Sequence, residues 1–307
     1  ASPLMFPLRY EPEPLIGWST MDRFVLPLSL VVSLVAALAS GACTLSESRA
    51  PTSRRSSTRR PSTPLAVTIA GERHSLSGEL LLPEGFGPFP ALIYNHGSER
   101  HPSLKWLGKT ARWFQRQGFV VLIPYRRGHA TTPGAYFMDR IRSLPLDERD
   151  SAFVEAFEGQ TDDVLQAVEW LARVPFVDPK RVVVGGCSVG GILTILAAER
   201  GAGILAALAF ASASMLWHGH PEVRRRLLAA VQQSKVPLFL LQAENDFDTT
   251  PTRALDAALT AAGKPHRSQV YPRFGTSAMA GHAGFCNRAQ ALWGPDVLAF
   301  IARLAGD

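Results

Sequence analysis

The stretch Arg181-Val-Val-Val-Gly-Gly-Cys-Ser188-Val-Gly-Gly191 constrains this chain more than any other. A β-branched run ends in Gly186-Cys-Ser188-Val-Gly190, and a helix-like segment, Gly191–Arg200, follows it. G-x-S-x-G between a strand and a helix describes a turn so tight that its central Ser is held up at the sheet edge. Small residues are required there because a side chain at either Gly would collide with neighbouring backbone. The five-residue pattern alone is weak, since a Gly-rich βα turn with a buried Ser has the same signature. Its weight comes from what surrounds it.

The surroundings read as alternating strands and helices. Leu65–Ile69 and Ser77–Leu82 form an early antiparallel pair at an edge. Ala91–Asn95, Phe119–Pro124, Arg181–Val184, Ile204–Phe210, Val236–Leu241 and Ser268–Tyr271 are further strands, apolar or β-branched in character. Helical spacing marks Leu104–Gln117, Thr161–Arg173, Thr252–Ala262 and a closing Gln290–Leu304. Asp162 and Asp163 fall where the first turn of Thr161–Arg173 would favour acids. Val177-Asp-Pro-Lys180 reads as a turn into Arg181–Val184. Such alternation predicts an α/β fold, with a mostly parallel central sheet and helices on both faces. Gly128–Gly159 and Ser214–Ser234 exceed ordinary connections and read as short lid-like insertions.

The N-terminal part reads differently. Residues 1–20 carry no usable pattern, and Met21 reads as the start of translation. Over 21–43, a short charged start precedes the apolar Phe24–Ala42 and the small residues before Cys43, as in a secretory signal. Ser40-Gly41-Ala42-Cys43 resembles a lipoprotein processing site, with Ser40 where Leu is usual. Residues 44–64 are rich in Ser, Thr, Arg and Pro and read as a disordered tether. These segments predict an exported, extracytoplasmic and membrane-anchored lipoprotein whose folded domain is 65–307. Arg49, Arg54, Arg55, Arg59 and Arg60 oppose export under the positive-inside rule, so an uncleaved anchor with a cytoplasmic domain stays open. The same Arg cluster accounts for much of the net charge of +6, and no aromatics interleave it, so nucleic acid is not an expected partner. The three Cys have no C-x-x-C spacing, which argues against structural zinc.

Acyl transfer by Ser needs a base, an acid to orient the base, and donors for the oxyanion. In an open α/β sheet these lie past the C-terminal strand ends. Asp246 and Asp248 follow Val236–Leu241 and are placed for the acid. His282 follows the last strand and is placed for the base. The order Ser188, Asp246, His282 is that of the triad associated with the nucleophile elbow. After Ala91–Asn95, the turn His96-Gly97-Ser98 can aim the Ser98 N–H at the point reached by the Val189 N–H, forming an oxyanion hole.

On these residues the chain resembles the α/β-hydrolase superfamily, within it the dienelactone-hydrolase and prolyl-oligopeptidase-like branch. The resemblance is carried by Asn95-His96-Gly97, Pro124-Tyr125-Arg126-Arg127-Gly128-His129, the run from Asp178 to Gly191, the acid loop at Asp246, and Gly281-His282-Ala-Gly-Phe. It covers nearly all of Leu65 to Leu304. Dienelactone hydrolases carry a Cys nucleophile where this chain has Ser188, and Ala243 stands where Gly is common in the acid loop. The resemblance puts the acid three residues after that small residue, which favours Asp246 over Asp248. It implies a serine hydrolase cleaving a carboxylic ester of a small-molecule acyl substrate through an acyl-enzyme, with no metal or organic cofactor. Rival readings are a short-peptide peptidase, disfavoured because the domain has no room for an N-terminal propeller, and a catalytically silent binding protein. Oligomeric state is left open.

The neighbouring residues have plainer expectations. Cys187 is expected as a small buried hydrophobe beneath the turn. A Cys187–Cys286 bridge is geometrically conceivable in an oxidising compartment, but sequence does not fix connectivity, so free thiols are the expectation. His96 is expected to pack or hydrogen-bond structurally, and His129 to lie in a loop near the pocket. Arg126 and Arg127 are open between binding a substrate carboxylate and pairing with an acid on Gly128–Gly159.

Overall fold

The computed structural model describes residues 63–306. Residues 1–20, the signal-like 21–43 and all of the 44–64 tether except Thr63 and Pro64 lie outside them. Among the described residues no helix is long and apolar enough to cross a membrane.

Eight strands build one sheet: β1 Leu65–Ile69, β2 Leu76–Leu81, β3 Phe89–Asn95, β4 Val120–Tyr125, β5 Val177–Cys187, β6 Ala206–Phe210, β7 Leu238–Ala243 and β8 His266–Tyr271. Their order is β1-β2-β4-β3-β5-β6-β7-β8. β2 runs antiparallel to both neighbours, and every pair from β4 to β8 is parallel. The helices are α1 Leu104–Arg116, α2 Phe137–Ser143, α3 Arg149–Ala172, α4 Val189–Arg200, α5 Pro221–Gln232 and α6 Thr250–Ala261. A π-helical turn, Ala280–Gly284, leads into α7 Phe285–Arg288 and then α8 Gln290–Ala305.

Side chains alternate across a strand, so one apolar strand feeds two cores. Ile93, Val184, Ala209 and Leu240 face one core, shared with α2 to α6. Leu92, Val183, Leu208 and Leu241 face the other, shared with α1, α7 and α8. The expected α/β-hydrolase architecture, a mostly parallel sheet covered on both faces, is what the chain forms.

Several elements differ from expectation. The helix expected at Thr161 begins twelve residues earlier, at Arg149, so Asp162 and Asp163 sit in mid-helix. They are held there by partners and not by the helix end: Arg127 donates to Asp163 at 2.6 Å and Arg200 to Asp162 at 2.7 Å. The two insertions are helical, containing α2, the first half of α3, and α5. β5 starts at Val177 and not at Arg181, because Val177 pairs with Phe89 before Val182 pairs with Ala91. The intervening residues loop out around Asp178, whose carboxylate accepts the Lys180 N–H at 3.0 Å.

α8 is anchored by fully buried Trp293, which lies 5.0 Å from Phe210, 5.2 Å from Trp113 and 6.1 Å from Phe114 by ring centroids. Its indole N–H donates to Phe285 O at 3.1 Å. Trp293→Ala leaves a large cavity, and is expected to destabilise the fold by about 3–5 kcal/mol. Urea denaturation should show this as a lower midpoint at unchanged slope.

Candidate active site

Every residue singled out for chemistry arrives at the C-terminal edge of the sheet, because parallel strands deliver their following loops to one side. β5 ends at Cys187, and Ser188 turns the chain into α4 with φ 59° and ψ −118°. A Cβ added at Gly190 would stand 2.3 Å from Asn95 O, and one at Gly186 would stand 2.6 Å from Gly190 C. The elbow therefore needs both glycines for close approach, as its pattern implied. Among the described residues no hydrogen bond reaches the Ser188 hydroxyl.

His282 lies in the π-helical turn and is buried. Its Nδ1 is 2.9 Å from Asp246 Oδ1, with the Asp246 side chain wholly buried. Asp246 also accepts from Gln242 Nε2 at 2.8 Å and from the Phe247 N–H at 2.6 Å. Asp248 turns elsewhere, accepting from the Thr250 N–H at 2.8 Å and lying 3.1 Å from His218 Nε2. Of the two acids, Asp246 is the one brought to His282. A carboxylate on Nδ1 leaves the other ring nitrogen free to accept a proton.

The structure adds Ser214, whose hydroxyl lies 3.2 Å from His282 Nδ1. It follows β6 in a segment where Ala211 and Ala213 both hold positive φ, 50° and 61°. Nothing in the Ala-Ser-Ala-Ser sequence marks this residue; only the backbone twist around it does.

The turn after β3 passes close to Ser188: a Cβ added at Gly97 would lie 3.7 Å from Ser188 Cβ. Val189 opens α4, where N–H groups lack intrahelical partners. Arg126 is fully buried and donates to Gln160 Oε1, His96 O and Gly97 O at 2.7, 2.9 and 2.7 Å. Arg127 pairs with Asp163 on α3, and not with an acid on Gly128–Gly159. Among the described residues no group of three His, Cys, Asp or Glu is arranged to hold a metal ion.

Cys187 and Cys286 form a disulfide, which corrects the expectation of free thiols. Cys187 faces the second core, and the π-helical turn carries α7 across that same face. Their Cα atoms come to 6.0 Å, a separation that a bridge spans readily. Because the partner comes from 99 residues away, spacing alone could not reveal it.

His96 and His129 are fully buried, with ring centroids 4.6 Å apart. Burial, then the Arg126 charge, pushes His96 well below the usual histidine range and His129 down to about 3. His129 Nδ1 donates to Glu99 O at 2.8 Å, while its buried Nε2 has no partner to receive a proton. On unfolding, His129 returns to an ordinary value near 6.5. The unfolded chain thus binds a proton that the folded chain refuses, so this contribution is complete above about pH 6.5 and is lost as pH falls toward 3. Urea midpoints at pH 7 and pH 4.5 should therefore differ less in His129→Gln than in wild type.

Solved structures share the fold at low identity. A Penicillium α/β hydrolase, GrgF, matches with TM-score 0.59 and 18% identity over 80% of this chain and 100% of its own. A Klebsiella pneumoniae protein named for the dienelactone hydrolases matches with TM-score 0.56 and 17% identity over 78% of this chain and 98% of its own. An acylaminoacyl peptidase of Pyrococcus horikoshii matches with TM-score 0.56 and 16% identity over 74% of this chain, which spans only 39% of that peptidase. The other peptidases of this kind are matched over a similarly small share of their length. The model of the dienelactone hydrolase family matches residues 102–293, from the approach to α1 through Ser188, Asp246 and His282 to Trp293. That match takes in well over half of the sequence, and on it the chain belongs to the dienelactone hydrolase family.

Proposed function

We propose that this hydrolase cleaves a carboxylic ester by a Ser188–His282–Asp246 triad through an acyl-enzyme. The observation that carries the reading is the buried 2.9 Å bond from His282 Nδ1 to Asp246, made at the sheet edge where the Ser188 elbow rises. Asp246 keeps the proton on Nδ1, so Nε2 takes the Ser188 proton as Oγ attacks the acyl carbon. That step needs Oγ and Nε2 within hydrogen-bond reach, a contact often completed only when substrate is bound. The carbonyl electron pair moves onto oxygen, where the Ser98 and Val189 N–H groups receive it. Collapse expels the alcohol, which His282 protonates, and water then clears the acyl group by the same route.

An apolar substrate group suits the surroundings. Met215, Phe247 and Met279 are exposed, and each is close in sequence to a site residue: Ser214, Asp246 and His282. Phe247 lies 5.6 Å from the His282 ring. Esters with several methylenes in the acyl chain should therefore be turned over better than acetates, since each buried methylene contributes about 0.8 kcal/mol. Faster turnover of short peptide amides than of any p-nitrophenyl ester would instead favour the peptidase reading.

The assignment is tested on the nucleophile and the acid together. A fluorophosphonate probe should label wild type and leave Ser188→Ala unlabelled. Asp246→Asn should lower kcat by up to ~10⁴, with a much smaller effect of Asp248→Asn. Labelling that persists in Ser188→Ala and disappears in Cys187→Ala would overturn the nucleophile, and the reverse ranking of the two acids would move the acid to Asp248.

We also propose that the domain works outside the cytoplasm, held by a lipidated Cys43. The Cys187–Cys286 bond supports this, because such bonds persist mainly in oxidising compartments. Mass spectrometry of the mature N-terminus should find a lipid-bearing Cys43, whose several acyl chains would anchor firmly. An unmodified Cys43 terminus would mean a free exported enzyme, and an intact Met21 start an uncleaved anchor.

A further inference from the structure

A buried guanidinium ordinarily meets a carboxylate, because an unpaired charge away from water is costly. Arg126 is wholly buried, and among the described residues the hydrogen bonds of its guanidinium go to two backbone carbonyls and one side-chain amide. The carbonyls belong to His96 and Gly97, consecutive residues of the turn that lies against Ser188. The peptide unit is planar and trans, so its C=O and N–H point in opposite directions. Fixing Gly97 O toward Arg126 therefore turns the Ser98 N–H to the opposite side. Fixing His96 O does the same for the Gly97 N–H. Gly97 O is also 3.0 Å from His96 Nδ1, and the Tyr136 hydroxyl donates to Ser98 O. Three successive carbonyls are thus held by buried or half-buried donors.

We infer that Arg126 is the positioning residue of the oxyanion hole, orienting and polarising the peptide whose Ser98 N–H receives the developing negative charge. The inference rests on the serine-hydrolase reading above. It explains why the position needs Arg: the planar fork reaches two carbonyls at once, which a Lys ammonium on a flexible stem cannot do with fixed geometry. It also gives the Gln160 side chain a task, since its Oε1 fixes the fork through Nε. Tyr136 acts alongside, holding the next carbonyl of the same turn.

The test uses Arg126→Met, Arg126→Lys and Tyr136→Phe, with a p-nitrophenyl ester as substrate and an alkyl trifluoromethyl ketone as inhibitor. Ser188 adds to the ketone: the Oγ–C bond forms, the Ser proton passes to His282, and the carbonyl π pair becomes an oxyanion in the hole. No group leaves, so the inhibition constant reports oxyanion stabilisation directly. Arg126→Met should lower kcat about 10²-fold, the size of effect seen when one oxyanion donor is lost. The ketone should weaken by a similar factor, while KM stays within about three-fold. Arg126→Lys is expected to lose about ten-fold and Tyr136→Phe several-fold, in the same pattern. A purely structural role would lower the melting temperature and leave kcat and ketone inhibition of the folded protein unchanged. If Arg126→Met does not fold, the other two variants decide. Folded Arg126→Lys and Tyr136→Phe with kcat and ketone inhibition within two-fold of wild type would overturn the inference. A wild type that the fluorophosphonate does not label would instead remove the serine-hydrolase reading, and this inference with it.

Discussion

At Ser188 the backbone holds φ 59° and ψ −118°, a conformation that L-residues resist at a cost of about 1–3 kcal/mol. It persists because the surroundings over-determine it. The Ser188 N–H donates to Phe210 O at 3.0 Å, tying the elbow to the end of β6. Gly186 and Gly190 close on each other and on Asn95 with no space for a Cβ. β3, β5 and β6, which supply these walls, are the buried centre of the sheet. The two hydrophobic cores thus do more than stabilise the chain. They hold one serine in a position that no short peptide would keep, and the site is arranged around it.

The parts of that site come from distant stretches of sequence and are fixed from behind. The disulfide joins the residue before Ser188 to α7, which continues directly from the turn that holds His282. Thr110 on α1 donates to Cys286 O at 2.9 Å, locking the same helix from its other side. Arg126 secures the turn after β3, and Gln242 secures Asp246. Active groups held by locked neighbours keep their geometry better than groups on free loops. Here Ser188, Asp246, His282 and the turn after β3 each have such a neighbour.

The parallel sheet was legible in the sequence because its strands are short apolar runs set between helical repeats, and β3, β4, β6 and β7 were located to within two or three residues. α5 was missed although Pro221 stands at its first turn and Val223, Leu227, Ala230 and Val231 are spaced as a buried helical face. Its Arg-rich outer face lowered the contrast of that pattern. The early start of α3 was missed for a different reason. Asp162 and Asp163 look like acids at a helix N-terminus, and only the fold reveals that Arg127 and Arg200 hold them. For the candidate site, a strand end marks the approach to each of Ser188, Asp246 and His282, and the fold brings Asp246 to His282. Ser214 and the Cys187–Cys286 pairing depend on how loops cross the sheet edge, which no local pattern records.

The same contrast separates the two insertions from the rim of the site. α3 and α5 lie over the first core and are stitched to α4 by ions: Glu158 receives both Arg200 and Arg226, and Arg226 also reaches Glu199. These partly buried charges form a network and not isolated pairs, which makes movement of one helix against the others costly. From this scaffold the segment ahead of α2 extends Tyr136 to Ser98 O. The insertion therefore bears on the turn after β3 through a fixed contact. Met215, Phe247 and Met279, by contrast, are exposed and lie in short loops after β6, after β7 and ahead of the π-helical turn. On the proposed function, the reacting groups sit on the rigid side of the sheet edge, and the substrate meets three exposed side chains that can change without disturbing the core beneath them.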